Sequence, residues 1–149
     1  MLILGIETSC DETSAAVIEG LVPLSNVVLS QQEHGQYGGV VPELASRAHI
    51  RTLVPVIEQA LVQAGADLGQ LEGIAVTNRP GLVGSLIVGV NTAKGMALAG
   101  NLPFIGVNHL EGHVFSNLIE HDITPPFLCL LVSGGHTELL MVNELGRYQ

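Results

Sequence analysis

Short apolar runs separated by polar turns dominate the start of the chain. Residues 2–6 and 15–18 are apolar and enclose a small polar turn at residues 8–13, a pattern that predicts a β-hairpin. A third apolar run, residues 27–30, follows Pro23 and predicts another strand. The fold is therefore expected to open with a group of strands before any helix.

The pattern changes to helical spacing after a loop at residues 37–42, whose glycines and proline interrupt regular structure. A helix is predicted from Glu43, and Gly65 is a typical C-terminal stop. Pro55 lies inside this helix, so a kink or a break is expected there. The apolar positions that repeat at helical spacing, and are expected to face a core, are Leu53, Val54, Ile57, Ala60, Leu61 and Ala64.

Strands and helices alternate in the next part of the chain. Residues 74–77 and 104–107 predict buried strands, whereas residues 82–99 and 109–119 predict helices, the first of them closed by Gly100. The order is then β-β-β-α-β-α-β-α. This order is typical of an α/β fold in which helices pack on the faces of a mixed sheet.

A second unit of strand, polar turn and strand follows. Residues 127–132 are apolar, residues 133–137 form a small polar turn, and residues 139–142 are apolar again. This weak repeat of the opening pattern indicates a second domain built like the first, of which only the first hairpin is present. We expect domain limits of 1–122 and 123–149, and we interpret the chain as the N-terminal fragment of a longer protein.

The composition adds an expectation about the surface. Hydrophobic residues make up 47% of the chain and charged residues only 13%, whereas a complete soluble domain carries about a quarter charged residues. Some apolar surface should therefore be covered by a second domain or a partner. The formal net charge of −9, with five scattered Lys and Arg residues, argues against RNA binding by this segment alone, because phosphate backbones are bound by clustered basic residues.

Nothing in the sequence indicates a membrane or a secreted protein. No apolar run approaches the roughly 18 residues needed to cross a bilayer, and the start lacks the basic stretch of a secretory signal. Cys10 and Cys129 lie far apart, and reduced thiols are the default interpretation, with a disulfide between them left open. We expect a cytoplasmic protein.

The first polar turn carries residues that can bind an anion. Hydroxyl and backbone N–H groups at a hairpin tip can form a nest for phosphate, and an ordinary polar turn is an equal alternative. The helix that follows Pro80 and Gly81 could likewise accept an anion at its N-terminus, or its small residues could serve close helix packing. The candidate binding residues of the first turn are Thr8, Ser9, Asp11 and Glu12.

The second polar turn offers a similar cradle. Ser133, Gly134 and Gly135 could hold a phosphate or acyl group, because glycine lets the backbone approach a ligand closely. Hairpins also use such residues without any ligand. In a duplicated fold the two turns would face each other across a cleft, and His136 would lie beside it.

Two histidines form the strongest chemical signal. His109 and His113 are spaced i and i+4, so on a helix they share a face and can bind one metal ion. Hydrogen-bonded capping is the alternative, but their place after the strand ending at Val107 favours a metal, with a third ligand from elsewhere. Glu111 follows His109 by two positions rather than one, which excludes the HExxH arrangement of zinc peptidases.

Four segments together resemble the TsaD family, formerly described as glycoprotease or O-sialoglycoprotein endopeptidase. They are residues 5–13 (GIETSCDET), 37–47 (YGGVVPELASR), 108–113 (NHLEGH) and 131–137 (LVSGGHT). The resemblance implies the two-domain, ribonuclease H-like fold shared by actin, sugar kinases and the Hsp70 ATPase. It also implies transfer of a threonylcarbamoyl group from an adenylate to N6 of adenosine 37 in tRNAs that read codons starting with A.

The same resemblance implies the site and the partners. His109 and His113 would be ligands of one iron or zinc ion, completed by an aspartate in the C-terminal half, so the fragment alone is expected to be inactive. The implied partners are tRNA, a TsaB-like paralogue, a TsaE-like ATPase and a second copy in a homodimer. No catalytic residue is assigned. The segment implied to contact the nucleotide-linked substrate comprises Leu131, Val132, Ser133, Gly134 and Gly135.

One departure and two alternatives accompany the resemblance. The family usually has Gly where this chain has Arg79, so the conformation of the Pro80 loop and its ligand contacts are open, and a positive charge is added. A non-catalytic scaffold subunit such as TsaB lacks the histidine pair. An ATPase or kinase of the same fold also lacks it, and normally has Asp at the position of Glu7. The retained His109 and His113 therefore favour the transferase.

Overall fold

The computed structural model describes residues 1–121, 123–133 and 137–148. It divides into two compact units, Met1–His109 and Leu110–Gln149. The expected domain limits of 1–122 and 123–149 stay a prediction.

The first unit is built on a five-stranded sheet with the order β3-β2-β1-β4-β5. β1 pairs antiparallel with β2, and β2 with β3, whereas β4 and β5 run parallel to β1. The sheet is therefore mixed, as expected, and its carboxyl-end edge carries the ends of β1, β4 and β5. The strands are β1 (Leu2–Glu7), β2 (Glu12–Glu19), β3 (Val22–Ser30), β4 (Gly73–Arg79) and β5 (Phe104–Asn108).

Two helices, α1 (Pro42–Ala64) and α2 (Val83–Gly100), pack on this sheet and on each other. α1 lies against β2 and β3, and α2 lies mainly against β4. The core between them is aliphatic and includes Leu4, Val17, Leu53 and Ile74, each at most 2% exposed. The predicted order of three strands, helix, strand, helix, strand and helix is confirmed.

α1 corrects two expectations drawn from the sequence. The helix is continuous across Pro55, so of the two outcomes expected there, a kink or a break, the break is absent. Val54 is 54% exposed, and Val56 takes a place in the core instead. Positions 53, 56, 57, 60 and 61 follow the true 3.6-residue period, which turns position 54 toward the edge of the apolar face. Gly65 ends the helix in the left-handed conformation with φ 65°, as predicted.

The second unit contains a three-stranded antiparallel sheet in the order β6-β7-β8. The strands are β6 (Phe127–Val132), β7 (Thr137–Glu144) and β8 (Arg147–Tyr148), and α3 (His109–Glu120) precedes them. Val114 packs with Cys129 and Val142 in a small core. The predicted hairpin is confirmed, whereas the short β8 was not predicted.

Apolar surface is present, as the composition led us to expect. Leu128, Leu130 and Val132 alternate along β6 and are each more than 60% exposed, so one face of this strand is uncovered. Cys10 is exposed and Cys129 buried, and both are free thiols. Among the residues that the structure describes, no helix is both long and apolar enough to cross a membrane.

Candidate functional site

Polar side chains from three neighbouring strands meet at the carboxyl-end edge of the first sheet. Glu7 is the last residue of β1, Thr77 lies near the end of β4, and His109 directly follows β5. Because β1, β4 and β5 are adjacent and parallel, these ends lie side by side. This edge is where ligands bind in open α/β sheets.

The carboxylate of Glu7 is the centre of this group. Thr77 Oγ1 donates a hydrogen bond of 2.6 Å to Glu7 Oε2, and His109 Nδ1 lies 3.0 Å from the same oxygen. The backbone N–H of Ser9 donates to Glu7 Oε1. Ser9 Oγ is 3.3 Å from His109 Nδ1. We call Glu7, Ser9, Thr77 and His109 the edge cluster.

The hydrogen bonds of the edge cluster outweigh the effect of burial. Burial by itself raises the pKa of Glu7, but the bonds from His109, Ser9 and Thr77 lower it to about 2. The bond to Glu7 raises the pKa of His109 against an opposing effect of burial. Glu7 is therefore a fixed negative charge whose strongest partner is the imidazole.

The backbone N–H of Ser9 in the first turn binds the protein's own Glu7 carboxylate rather than leaving that donor for a ligand. Ser9 is 3% exposed, and its N–H is directed at Glu7. Thr8 is fully buried, and its hydroxyl donates to the carbonyl of Ser85 in α2 at 2.9 Å. Asp11 is half-buried, and Glu12 is exposed and accepts a hydrogen bond from a β3 serine. Only Asp11 and Glu12 of the predicted turn residues thus present substantial side-chain surface.

The Pro80 loop packs tightly against the same turn. The N–H of Leu82 donates to the carbonyl of Ser9 at 2.8 Å. A Cβ on Gly81 would lie 2.6 Å from that carbonyl oxygen, so a side chain there would push the loop away. Arg79 pairs with Asn108 beyond a register shift in the β4–β5 ladder, and its side chain is exposed.

A buried histidine ties the first turn to α1. His49 is fully buried, its Nε2 donates to the carbonyl of Cys10 at 2.9 Å, and its Nδ1 lies 2.8 Å from Thr13 Oγ1. Thr13 also contacts Thr52 Oγ1 at 3.0 Å. This network holds the turn that carries Ser9, and the sequence analysis did not predict it.

The state of His49 predicts how stability depends on pH. Burial lowers the pKa of His49, while the Cys10 carbonyl and the carboxylates of Glu7 and Asp11 oppose the shift. A histidine with a lower pKa in the folded state binds fewer protons when folded, so its contribution to stability is complete above the unfolded pKa of about 6.5 and declines below it. Between pH 7 and 5, the free energy of unfolding should fall more steeply in the wild type than in His49→Gln, as measured by urea titration.

The control for this prediction is His121→Gln, at an exposed histidine just after α3. Its pH dependence should match that of the wild type. Equal slopes in the wild type and His49→Gln would contradict the prediction.

Comparison with known proteins decides the family. The family model described as "TsaD: tRNA N6-adenosine threonylcarbamoyltransferase" matches residues 23–149. Relatives bearing that name from Trichlorobacter lovleyi and Pelobacter propionicus are each 54% identical over 151 residues, covering 100% of this chain and 44% of the relative. The chain belongs to the TsaD family. It spans less than half the length of these relatives.

Two solved structures resemble this TsaD-family chain in fold. YeaZ from Pseudomonas aeruginosa superposes with a TM-score of 0.64 at 18% identity, over 99% of this chain and 65% of YeaZ. The likeness supports the fold alone, and together with the mixed sheet it confirms the ribonuclease H-like class. A second P. aeruginosa structure, described as similar to the peptidase YEAZ, gives a TM-score of 0.61 at 20% identity, over 93% of this chain and 62% of that chain.

The histidines predicted to bind a metal in this TsaD-family chain both lie in α3, four positions apart. The edge cluster fits such a role for His109, because a metal-binding imidazole commonly gives its other nitrogen to a carboxylate. Here Nδ1 contacts Glu7, so a metal would bind through Nε2. Within the described residues no group of three or more His, Cys, Asp or Glu could hold a metal, so the pair needs a further ligand.

The second predicted cradle of the TsaD motif is only partly described. Leu131 is buried at 6% exposure, whereas Val132 and Ser133 are exposed at the end of β6. Gly134, Gly135 and His136 lie outside the described residues. The contact of this segment with a nucleotide-linked substrate therefore stays a prediction.

The edge cluster does not have the geometry of a hydrolytic triad. In such a triad the serine and the carboxylate contact opposite nitrogens of the histidine. Here Ser9 Oγ and Glu7 Oε2 both approach Nδ1 of His109. Ser9 is thus not placed as a nucleophile activated by His109.

Glu7 and Thr77 were missed as site residues by sequence reasoning. Glu7 was noted as part of the segment 5–13 and as the counterpart of the kinase aspartate, and Thr77 only as the end of a strand. The available signal was the position of each residue. Glu7 and Thr77 are polar residues at the carboxyl ends of predicted strands, and His109 likewise follows the predicted strand 104–107.

Proposed function

We propose that this chain is the N-terminal part of an enzyme that transfers a threonylcarbamoyl group from threonylcarbamoyl-AMP to N6 of adenosine 37 in tRNAs reading codons that start with A. The observation that carries the proposal is the family match over residues 23–149 with relatives 52–54% identical that bear the name of this activity. The edge cluster supplies polar groups at the sheet edge where ligands bind, with the Glu7 carboxylate at its centre and His109 in contact with it.

The chemistry requires positioning more than a nucleophile from the protein. Adenosine N6 attacks the carbamoyl carbon, a new N–C bond forms, the bond from that carbon to the phosphate oxygen breaks, and AMP leaves while N6 loses a proton. Such a reaction depends on orientation and on stabilising developing negative charge. When bound, a divalent metal supplies Lewis-acid polarisation of the carbamoyl carbonyl or holds the threonyl carboxylate.

His109 and His113 are the proposed ligands of that metal, iron or zinc, with the third ligand in the remaining part of the protein. Glu7, Ser9 and Thr77 orient His109 through the contacts already described. The nucleotide-linked substrate is proposed to contact Leu131–Gly135, and Asp11 and Glu12 of the first turn are separate candidate binding residues. The boundary between the two domains along the chain is proposed between residues 122 and 123.

Binding of tRNA must rest mainly on the remaining part of the protein or on a partner. A segment with a formal net charge of −9 repels phosphate backbones, so clustered basic residues must come from elsewhere. We propose a TsaB-like paralogue and a TsaE-like ATPase as the working partners in the cytoplasm, with a homodimer as a further assembly. The exposed apolar face of β6 supports a covered surface in the complete protein.

The test is an assay of the full-length protein with tRNA, threonine, bicarbonate, ATP and the partner proteins. Threonylcarbamoyladenosine is counted in digested tRNA by mass spectrometry. We expect product that depends on the full-length protein. No product, with all partners shown to be competent in a reaction with a known relative, would exclude the transferase and favour a non-catalytic scaffold subunit.

A further inference from the structure

Both carboxylate oxygens of Glu7 accept hydrogen bonds from donors in the first unit. Its Oε1 accepts from the backbone N–H of Ser9, and its Oε2 accepts from Thr77 Oγ1 at 2.6 Å. These two bonds come from different elements, the first turn and β4. With both donors in place, the carboxylate has one orientation, and in that orientation Oε2 meets His109 Nδ1 at 3.0 Å.

This contact determines which nitrogen of His109 carries the proton. A neutral imidazole has a single N–H, and an ionised carboxylate can only accept hydrogen bonds. The proton of neutral His109 must therefore be on Nδ1, which leaves Nε2 with its lone pair as the ligand atom. Ser9 Oγ, 3.3 Å from Nδ1, can accept from the same N–H and is compatible with this tautomer.

The length of the Glu7 side chain suits the distance to be spanned. β1 and β5 are separated by β4, and adjacent strands lie about 4.8 Å apart. Glu7 must therefore cross roughly two strand spacings with the help of the imidazole. Aspartate, shorter by one methylene, would stop at Thr77 and lose the contact with His109.

We propose that Glu7 is a positioning residue that fixes His109 in the Nδ1–H tautomer and in the ring orientation from which Nε2 binds the metal. This inference rests on the metal role of His109 in the proposed function. It assigns Glu7 a part in metal affinity that the histidine spacing does not reveal. Partners of this kind usually contribute 10- to 100-fold to metal affinity.

The experiment uses the full-length protein freed of metal. Zn²⁺ or Co²⁺ is titrated into the wild type, Glu7→Ala and Glu7→Asp, and the dissociation constants are compared. We expect about 10- to 100-fold weaker binding in both variants. In parallel, ¹⁵N-histidine NMR at a pH where imidazole is neutral reports the tautomer of His109, with the signal assigned from its loss in His109→Ala.

The NMR readout separates positioning from a merely structural role. The wild type should show a protonated Nδ1 at His109, and Glu7→Ala should shift the population toward a protonated Nε2. Glu58→Ala, at an exposed glutamate of α1, is the matched control and should change neither the affinity nor the tautomer. If Glu7→Ala fails to fold, Glu7→Gln takes its place, with a smaller loss of affinity expected because the amide oxygen still accepts a hydrogen bond without the charge.

The inference is overturned if the affinity and the tautomer are the same in the wild type and in the folded Glu7 variant, or if the wild type binds no Zn²⁺. Failure of the proposed function is distinguishable. In that case the metal affinity and the tautomer respond to Glu7, but the full-length protein makes no threonylcarbamoyladenosine.

Discussion

Replacing His109 by alanine should reduce formation of threonylcarbamoyladenosine by more than about 100-fold in the full-length protein. The reason is twofold: a proposed metal ligand is lost, and Glu7 Oε2 loses one of its two partners and keeps only Thr77. Loss of a supporting contact to a metal-binding histidine already costs 10- to 100-fold, and loss of the ligand itself should cost more. The measurement is the initial rate by mass spectrometry of digested tRNA.

His121→Ala is the matched control, because it removes an exposed imidazole from the turn after α3. Its rate should equal that of the wild type. Equal rates for the wild type and His109→Ala would retain the transferase activity but exclude the metal assignment. A loss restored by excess Zn²⁺ or Fe²⁺ would locate the defect in metal binding.

Gly89→Ala should lower the free energy of unfolding by about 1–3 kcal/mol, although alanine is normally the better helix former. In the middle of a helix, alanine gains about 1 kcal/mol over glycine. At position 89, however, the new Cβ would lie 2.4 Å from Thr8 Oγ1. Overpacking of this kind costs 1–3 kcal/mol, and displacing Thr8 also breaks its buried bond to Ser85, worth about 1 kcal/mol.

The same helix contains the control. A Cβ on Gly95 of α2 would have no atom within 4 Å, so Gly95→Ala should keep the propensity gain and raise stability by up to about 1 kcal/mol. Urea unfolding of both full-length variants measures the difference. Stabilisation by Gly89→Ala equal to that by Gly95→Ala would show that Thr8 moves aside at no cost, contrary to the packing described.

The local structure of this protein could be predicted because its signals are local. The alternation of apolar residues placed β1 and β2, Gly65 ended α1, and the i, i+4 histidines fell on α3 as expected. The order β3-β2-β1-β4-β5 and the pairing of its strands are not local. They are fixed by packing of α1 and α2 on the sheet. Sequence reasoning therefore reached the class of the fold but not the order of the strands, nor which residues share the carboxyl-end edge of the sheet.

The edge cluster shows the same limit at the site. Glu7 is separated from Thr77 by 70 positions and from His109 by 102. No spacing rule connects such residues, and only the adjacency of β1, β4 and β5 brings them together. Pro55 illustrates the opposite limit: a local rule allowed a break as well as a kink, but α1 remains continuous, with Leu53 and Val56 on either side packed in the core.

The His49 network has a consequence that follows from counting its hydrogen atoms. Three contacts link His49 Nδ1 to Thr13, Thr13 to Thr52, and Thr52 Oγ1 to the carbonyl of Ala48 at 2.9 Å. With His49 neutral and its N–H given to Cys10, the two hydroxyls supply only two protons for these three contacts. Thr13 donates to Nδ1, which has no proton of its own, so the single proton of Thr52 can point either to Thr13 Oγ1 or to the carbonyl of Ala48. The heavy atoms behind the first turn therefore have one arrangement, whereas the hydroxyl protons of the network have more than one.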